Sequence, residues 1–201
     1  MEIKQIRRED IWQVVSIHKD AFAGFFLTQL GDDFLNLYYT SVLQSRKGIL
    51  IGYYEGENDL CGFASATSYS RGFHTSLIKE NIWSYAWIGL KILFKSPKAL
   101  KRLYENLTKT DKSVCDSGEY AELLSIGVGV NSQRKGIGHL LLQEVEQKLA
   151  EQKVREISLT TDFCDNYKAL NFYKSMGYSV MYDFVSYPNR RMYRLIKELN
   201  R

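Results

Sequence analysis

Apolar residues recur along this chain in two rhythms, and the switches between them divide it into elements. Ile3 to Ile6 alternates as a short strand. Arg8-Glu9-Asp10 then offers a helix start, and Ile11, Val14, Val15 and His18 follow at helical spacing. His18 falls on the flank of that helix and reads as a surface or half-buried histidine. The pattern breaks at Phe22 to Leu30, where Gly24 interrupts and Phe25, Phe26 and Leu27 form a dense apolar patch. Gly31-Asp32-Asp33 opens a second helix, with Phe34, Leu35, Tyr38 and Val42 inward. Gly48 to Tyr54 and Leu60 to Ser68 read as strands, joined by the hairpin loop Glu55 to Asp59.

Residues 70–118 return to helical spacing through Ile78, Ile82, Tyr85, Ile88 and Ile92, then through Leu100, Leu103 and Leu107. Pro97 separates the two stretches, with Ser96 before it as a cap. Trp83, Trp87, Lys91, Lys95, Lys98, Lys101 and Arg102 make the segment aromatic and basic. Leu123 to Val130 predicts a buried strand in which Gly127 and Gly129 leave room for a bulge or a close approach. Asn131 to Gly138 turns the chain, and Ile137, Leu141, Val145 and Leu149 carry the next helix. Val154 to Thr161 is a further buried strand. Tyr178 to Tyr182 and Met192 to Ile196 close the sheet as an antiparallel pair around Tyr187-Pro188-Asn189-Arg190.

Composition narrows the class. The 201 residues are 45% hydrophobic and 13% aromatic, enough for the core of one domain spanning 1–201. The net charge of +4 suits an anionic ligand, but its dispersal along the chain argues against nucleic acid. Cys61, Cys115 and Cys164 lie far apart without a C-x-x-C, as in a reduced cytoplasmic protein, and no metal is expected. Cys164 is either a small buried thiol or an acyl-carrying nucleophile. Neither a leader segment nor a membrane span is apparent.

The chemistry concentrates where a strand runs through a glycine-rich turn into a helix. Helix-opening amides lack internal partners and sit at the positive end of the dipole. Gly136 and Gly138 expose that backbone, and Arg134 and Lys135 add charge, which makes a phosphate or pyrophosphate site. The spacing is neither that of a dinucleotide fingerprint nor of a Walker A loop. Gln133-Arg134-Lys135-Gly136-Ile137-Gly138 resembles the Q/R-x-x-G-x-G/A loop of the GNAT superfamily of acyl-CoA N-acyltransferases. Asp165 to Tyr178, DNYKALNFYKSMGY, is similar to that family's N-x-x-A-x-x-F-Y-x-x-x-G-F/Y helix, with Tyr178 in place of a frequent Phe.

The resemblance implies an α/β fold: a mixed, mostly antiparallel sheet splayed between its fourth and fifth strands, here with a helical insertion over 70–118. It implies acetyl-CoA as acyl donor. Gln133 to Gly138 and the adjoining His139 would hold the pyrophosphate, Ile126, Gly127 and Val128 the pantetheine, and Asn166 the cofactor or its own helix start. Tyr173 corresponds to the family's proton donor to the departing thiolate, although its spacing also suits packing. Acyl transfer also needs a neutral amine. Glu122, on the strand before the loop, is the candidate base; Glu119 and unassisted water are the rivals. Asp162 anchors the acceptor amine or caps the next helix.

The family's first two helices meet over the acceptor, so Phe25, Phe26 and Thr28 are acceptor-pocket candidates. The implied reaction is N-acetylation of a small-molecule primary amine, such as an amino sugar or a nucleotide-linked amino sugar. A protein lysine or N-terminus is the first alternative and a non-catalytic acyl-CoA sensor the second. The insertion reads as a lid over the acceptor, an oligomer contact or a peripheral membrane contact, in a monomer or homodimer.

Overall fold

A computed structural model describes residues 1–95, 116–186 and 189–199. Seven strands form one sheet: β1 (Glu2–Gln5), β2 (Gly48–Tyr54), β3 (Leu60–Thr67), β4 (Ala121–Val128), β5 (Glu156–Asp162), β6 (Ser179–Ser186) and β7 (Arg190–Glu198). Their order is β1-β2-β3-β4-β5-β7-β6, and only β4 and β5 run parallel. The described helices are α1 (Ile11–Ala21), α2 (Phe26–Gln29), α3 (Asp32–Gln44), α4 (Phe73–Glu80), α5 (Ile82–Lys95), α6 (Ile137–Glu151) and α7 (Tyr167–Ser175). None is long and apolar enough to cross a membrane.

The helices cover both faces of the sheet. On one face α1 and α3 bury Val14, Leu35, Tyr39 and Val42 against Leu50, Tyr54 and Phe63. On the other, α6 buries Leu141, Leu142, Val145 and Leu149 against Ile51, Ala64, Leu123 and Ile157. Sequence periodicity foresees these faces because α1, α3 and α6 each carry an apolar stripe at helical spacing. The Tyr187-Pro188 part of the expected turn, the Leu100 to Leu107 stripe and Cys115 lie outside the described residues.

Two expectations for β4 change. The strand ends at Val128 rather than Val130; Val130 is 65% exposed in a short turn that begins the loop. The bulge sits not at a glycine but at Leu124: Ser125 pairs with Ser65 and Leu123 with Ala66, which leaves Leu124 without a partner on β3. Gly127 admits protein, since a Cβ there would meet Phe63 at 3.0 Å and Ile17 and Ala21 at about the same range.

The parallel ladder between β4 and β5 is only three pairs long, Ala121 with Ile157, Glu122 with Ser158 and Leu123 with Leu159. Beyond it the strands part, and the β4 edge from the bulge to Val128 faces no strand. A bulge bends its strand and increases local twist, which accounts for a ladder that ends where the bulge begins.

Helix α6 is anchored through this architecture. Leu141 is wholly buried, with its side chain against β3 at Gly62. Leu141→Ala is expected to cost ~2–5 kcal/mol of folding stability, read as a shifted midpoint in urea denaturation. A loss below ~1 kcal/mol would show that the α6 layer packs loosely.

Candidate active site

A cavity of about 550 Å³ occupies the gap where β4 and β5 separate. Its walls come from Leu123 to Ile126 of β4, Leu159 to Asp162 of β5, and Asn166, Ala169 and Tyr173 around α7. The remaining wall is His18, Phe22, Phe25 and Phe26 at the α1–α2 junction, with Arg190 and Met192 on β7. The cavity therefore joins the two sides of the sheet.

The glycine-rich loop lies at the far end of β4. Gly136 adopts φ +77° as the residue before α6, and Arg134 also has positive φ at +63°. Such φ values favour glycine, which explains Gly136, and they turn the chain sharply into the helix. No side chain caps α6, so its opening amides remain available at the positive end of a 15-residue helix dipole. Gln133 donates to the Val128 carbonyl, Lys135 stands 4.0 Å from Glu55, and Arg134 and His139 are exposed.

Tyr173 is half-buried, with its ring edge-on to Phe172 and Tyr178. Burial pushes its hydroxyl up to about 12, so it holds a proton at neutral pH. Asn166 occupies the N-cap position of α7, yet its side chain does not cap the helix. It donates instead to Thr161 Oγ1 at 2.5 Å, tying the end of β5 to α7. Asp162 does not cap α7 either. Its carboxylate receives both prongs of the Arg190 guanidinium, Nη2 at 2.6 Å, and Arg190 also lies 4.3 Å above the Phe25 ring. Cys164 is exposed and lines the cavity; Cys61 is buried.

Of the acceptor candidates, Phe25 and Phe26 line the cavity and Thr28 does not. The Thr28 hydroxyl donates to the Phe22 carbonyl at 2.6 Å and serves its own loop. Both glutamates lie outside the cavity lining. Glu119 is exposed and pairs with Arg71 at 3.2 Å. Glu122 receives the Arg194 guanidinium on Oε1 at 2.6 Å and the Ser70 hydroxyl on Oε2. Burial works against the Arg194 charge, but Glu122 together with Tyr120 and Tyr182 outweighs it and holds the guanidinium above its ordinary value.

Helical spacing misplaces one other group. His18 is not at the surface: it is 3% exposed, and Nδ1 lies 2.6 Å from Tyr39 Oη, which lies 3.0 Å from Ser125 Oγ. Its position in the stripe of Ile11, Val14 and Val15 was the available signal.

The sequence profile of the acetyltransferase (GNAT) family matches residues 11–178. The chain belongs to this family. As a GNAT protein it is an acyl-CoA-dependent N-acetyltransferase, and its sheet, parallel only at the gap, is the fold of that family. No curated protein sequence matches the chain. Solved structures resemble it at low identity. The ribosomal-protein-alanine N-acetyltransferase of Brucella melitensis is 17% identical, with 99% of this chain and 100% of that one covered and a TM-score of 0.65. Arabidopsis thaliana NAA60 with acetyl-CoA is also 17% identical, covering 100% and 99% with a TM-score of 0.61. An aminoglycoside 6'-acetyltransferase type Ii is 14% identical, covering 100% and 99% with a TM-score of 0.62.

The Glu122–Arg194 pair ties β4 to β7 beneath the gap, each side chain 15% exposed. Arg194→Ala strands a carboxylate and is expected to cost ~3–5 kcal/mol of stability. Replacing both partners, Arg194→Met with Glu122→Gln, should recover most of that loss. Chemical denaturation of the single and double variants gives the answer, and equal losses would show that the pair contributes nothing jointly.

Proposed function

We propose that this GNAT protein transfers the acetyl group of acetyl-CoA to the primary amine of a small molecule bound in the cavity between β4 and β5. The observation carrying this reading is the cavity itself. It opens where two parallel strands part and presents an unpaired β4 edge to one side and an aromatic wall to the other.

The residues fit the cofactor. The uncapped α6 terminus, with Gln133 to His139, would bind the pyrophosphate; the open edge at Ile126 to Val128 would pair with the pantetheine; Asn166 would flank it. When bound, acetyl-CoA supplies an activated acyl group and a thiolate leaving group. The chain's own residues complete the site. Open β4 amides would donate to the acyl oxygen as negative charge grows there. Tyr173, protonated at neutral pH, would give its proton to the departing sulfur. The phenylalanines would exclude water and favour the neutral amine over the ammonium, because burial penalises the charged form.

Glu122 is the carboxylate nearest these groups on β4, and its engagement with Arg194 and Ser70 makes Glu122→Gln an informative variant. An aromatic cavity of this volume favours an amino sugar or nucleotide-linked amino sugar over an extended peptide. We place the reaction in the cytoplasm of a chain that acts as a monomer or homodimer.

Free-thiol release from acetyl-CoA against amino sugars, nucleotide-linked amino sugars, polyamines and peptides tests this reading. Release with one small amine supports it; release only with peptides moves the acceptor to a protein; binding of acetyl-CoA without release from any amine supports a sensor. Tyr173→Phe is expected to lower kcat ~100-fold, and unchanged turnover across the pH range would remove the acid role.

Gly138→Asp separates the cofactor site from the fold. A Cβ at Gly138 meets only ordinary contacts at 3.9 Å, and an acidic residue in the first turn suits the helix dipole. The variant is expected to keep its Tm while acetyl-CoA affinity falls ~10-fold or more through repulsion of the pyrophosphate. Unaltered affinity by calorimetry would place the pyrophosphate elsewhere.

A further inference from the structure

His18 stands apart from every residue so far given a role. It comes from α1 and lines the cavity beside Ser125, and Phe22 packs on its ring at a centroid distance of 4.8 Å. Nδ1 is held by Tyr39, and Tyr39 by Ser125 at the β4 bulge. Nε2 is buried and has no hydrogen-bond partner. A buried polar atom without a partner costs free energy, so a ring fixed on one side and unpartnered on the other calls for a ligand.

The ring's chemistry says which kind. A neutral imidazole has one N–H and one lone pair. Orphaned buried N–H groups are rarer than under-satisfied acceptors, so the N–H belongs on Nδ1, donating to Tyr39 Oη, while Tyr39 donates to Ser125 Oγ. Nε2 is then an acceptor. Burial keeps the ring neutral by pushing it down to about 4.

We propose that His18 is the acceptor-side contact of the reaction: as the amine fills the cavity and displaces the Phe22 ring packed on the imidazole, Nε2 receives an N–H of the amine and aims the nitrogen lone pair at the acyl carbon. This rests on the acetyl-transfer reading above. An amine that donates one N–H to Nε2 has its rotation fixed, and orientation of this kind is a recognised source of rate. The Tyr39–Ser125 chain is the positioning device: it spans α3 and β4 and sets both the ring's angle and its tautomer.

NMR of histidine-labelled wild-type protein reads the tautomer directly. The expected result is a neutral His18 with its proton on Nδ1; a proton on Nε2 overturns the proposal. In thiol release with the amine from the acceptor panel that supports the fastest release, His18→Ala is expected to lower kcat/KM ~10- to 100-fold, with acetyl-CoA affinity by calorimetry within ~2-fold of wild type. Tyr39→Phe keeps the ring and the packing but removes the oxygen that fixes it. It should shift the proton toward Nε2 and with it lower kcat/KM ~3- to 10-fold; a purely structural histidine would show the shift without the loss of rate. Unchanged kcat/KM in both variants overturns the proposal. If wild-type protein releases no thiol with any amine, the acetyl-transfer reading fails, while the tautomer still decides whether Nε2 is an acceptor in the cavity.

Discussion

The early end of the ladder between β4 and β5 is the constraint on which the rest of this molecule depends. A parallel pair that stops at Leu123 and Leu159 leaves backbone donors and acceptors open on β4 beside a cavity. Buried backbone groups are almost always paired, so such a gap persists only where the surrounding packing holds it apart and a ligand or water satisfies it. The first condition is visible in the fold. Helix α1 packs against Gly127 and α6 buries its stripe on the opposite face, which pins β4 from both sides. Asn166 holds the end of β5 to α7, and Arg190 holds Asp162 to β7. The gap is thus maintained by contacts that do not cross it.

The charges around the gap follow a single logic. Glu122 is matched to Arg194, Asp162 to Arg190 and Glu119 to Arg71, so apart from the exposed Asp165 and the Asp162–Arg190 pair the cavity presents neutral polar groups, among them His18, Ser125, Thr161, Asn166 and Tyr173. An ammonium moved past Asp165 to these neutral groups would lose water, which lowers its pKa and favours the nucleophilic form. The same balance makes Arg194 costly to remove, because its deletion strands a largely buried carboxylate, whereas the exposed Arg71–Glu119 pair contributes little.

How far this was legible in the sequence depends on the range of each interaction. The loop at Gln133 to Gly138 and the α7 segment are contiguous, and local backbone demands, such as the positive φ at Gly136, leave their mark in residue type. Strand positions were readable to within a few residues for the same reason. The bulge at Leu124 leaves no mark, since it is a register shift against β3 and any apolar residue can occupy it. The Glu122–Arg194 and Tyr39–Ser125 bonds join residues 72 and 86 positions apart, and no local pattern encodes which distant partner a polar side chain will meet. His18 falls between these cases: its helical spacing put it on the flank of α1, as a surface or half-buried residue, and only the fold shows that it is buried beside a cavity.

The insertion after β3 links these points. Its described part, α4 and α5, adds no residue to the cavity lining and instead packs along α3. Tyr85 meets Phe34 edge-on and donates to Ser41, while Leu77 and Ile92 join the core beneath α1 and α3. Helix α3 is the element that carries Tyr39. A helix pressed between a sheet and an outer helical layer has little freedom to shift, and the position of Tyr39 fixes the His18 ring. The described half of the insertion therefore braces α3 and adds no wall to the cavity. Its apolar outer face, with Trp83, Trp87 and Phe94 exposed, faces away from that work.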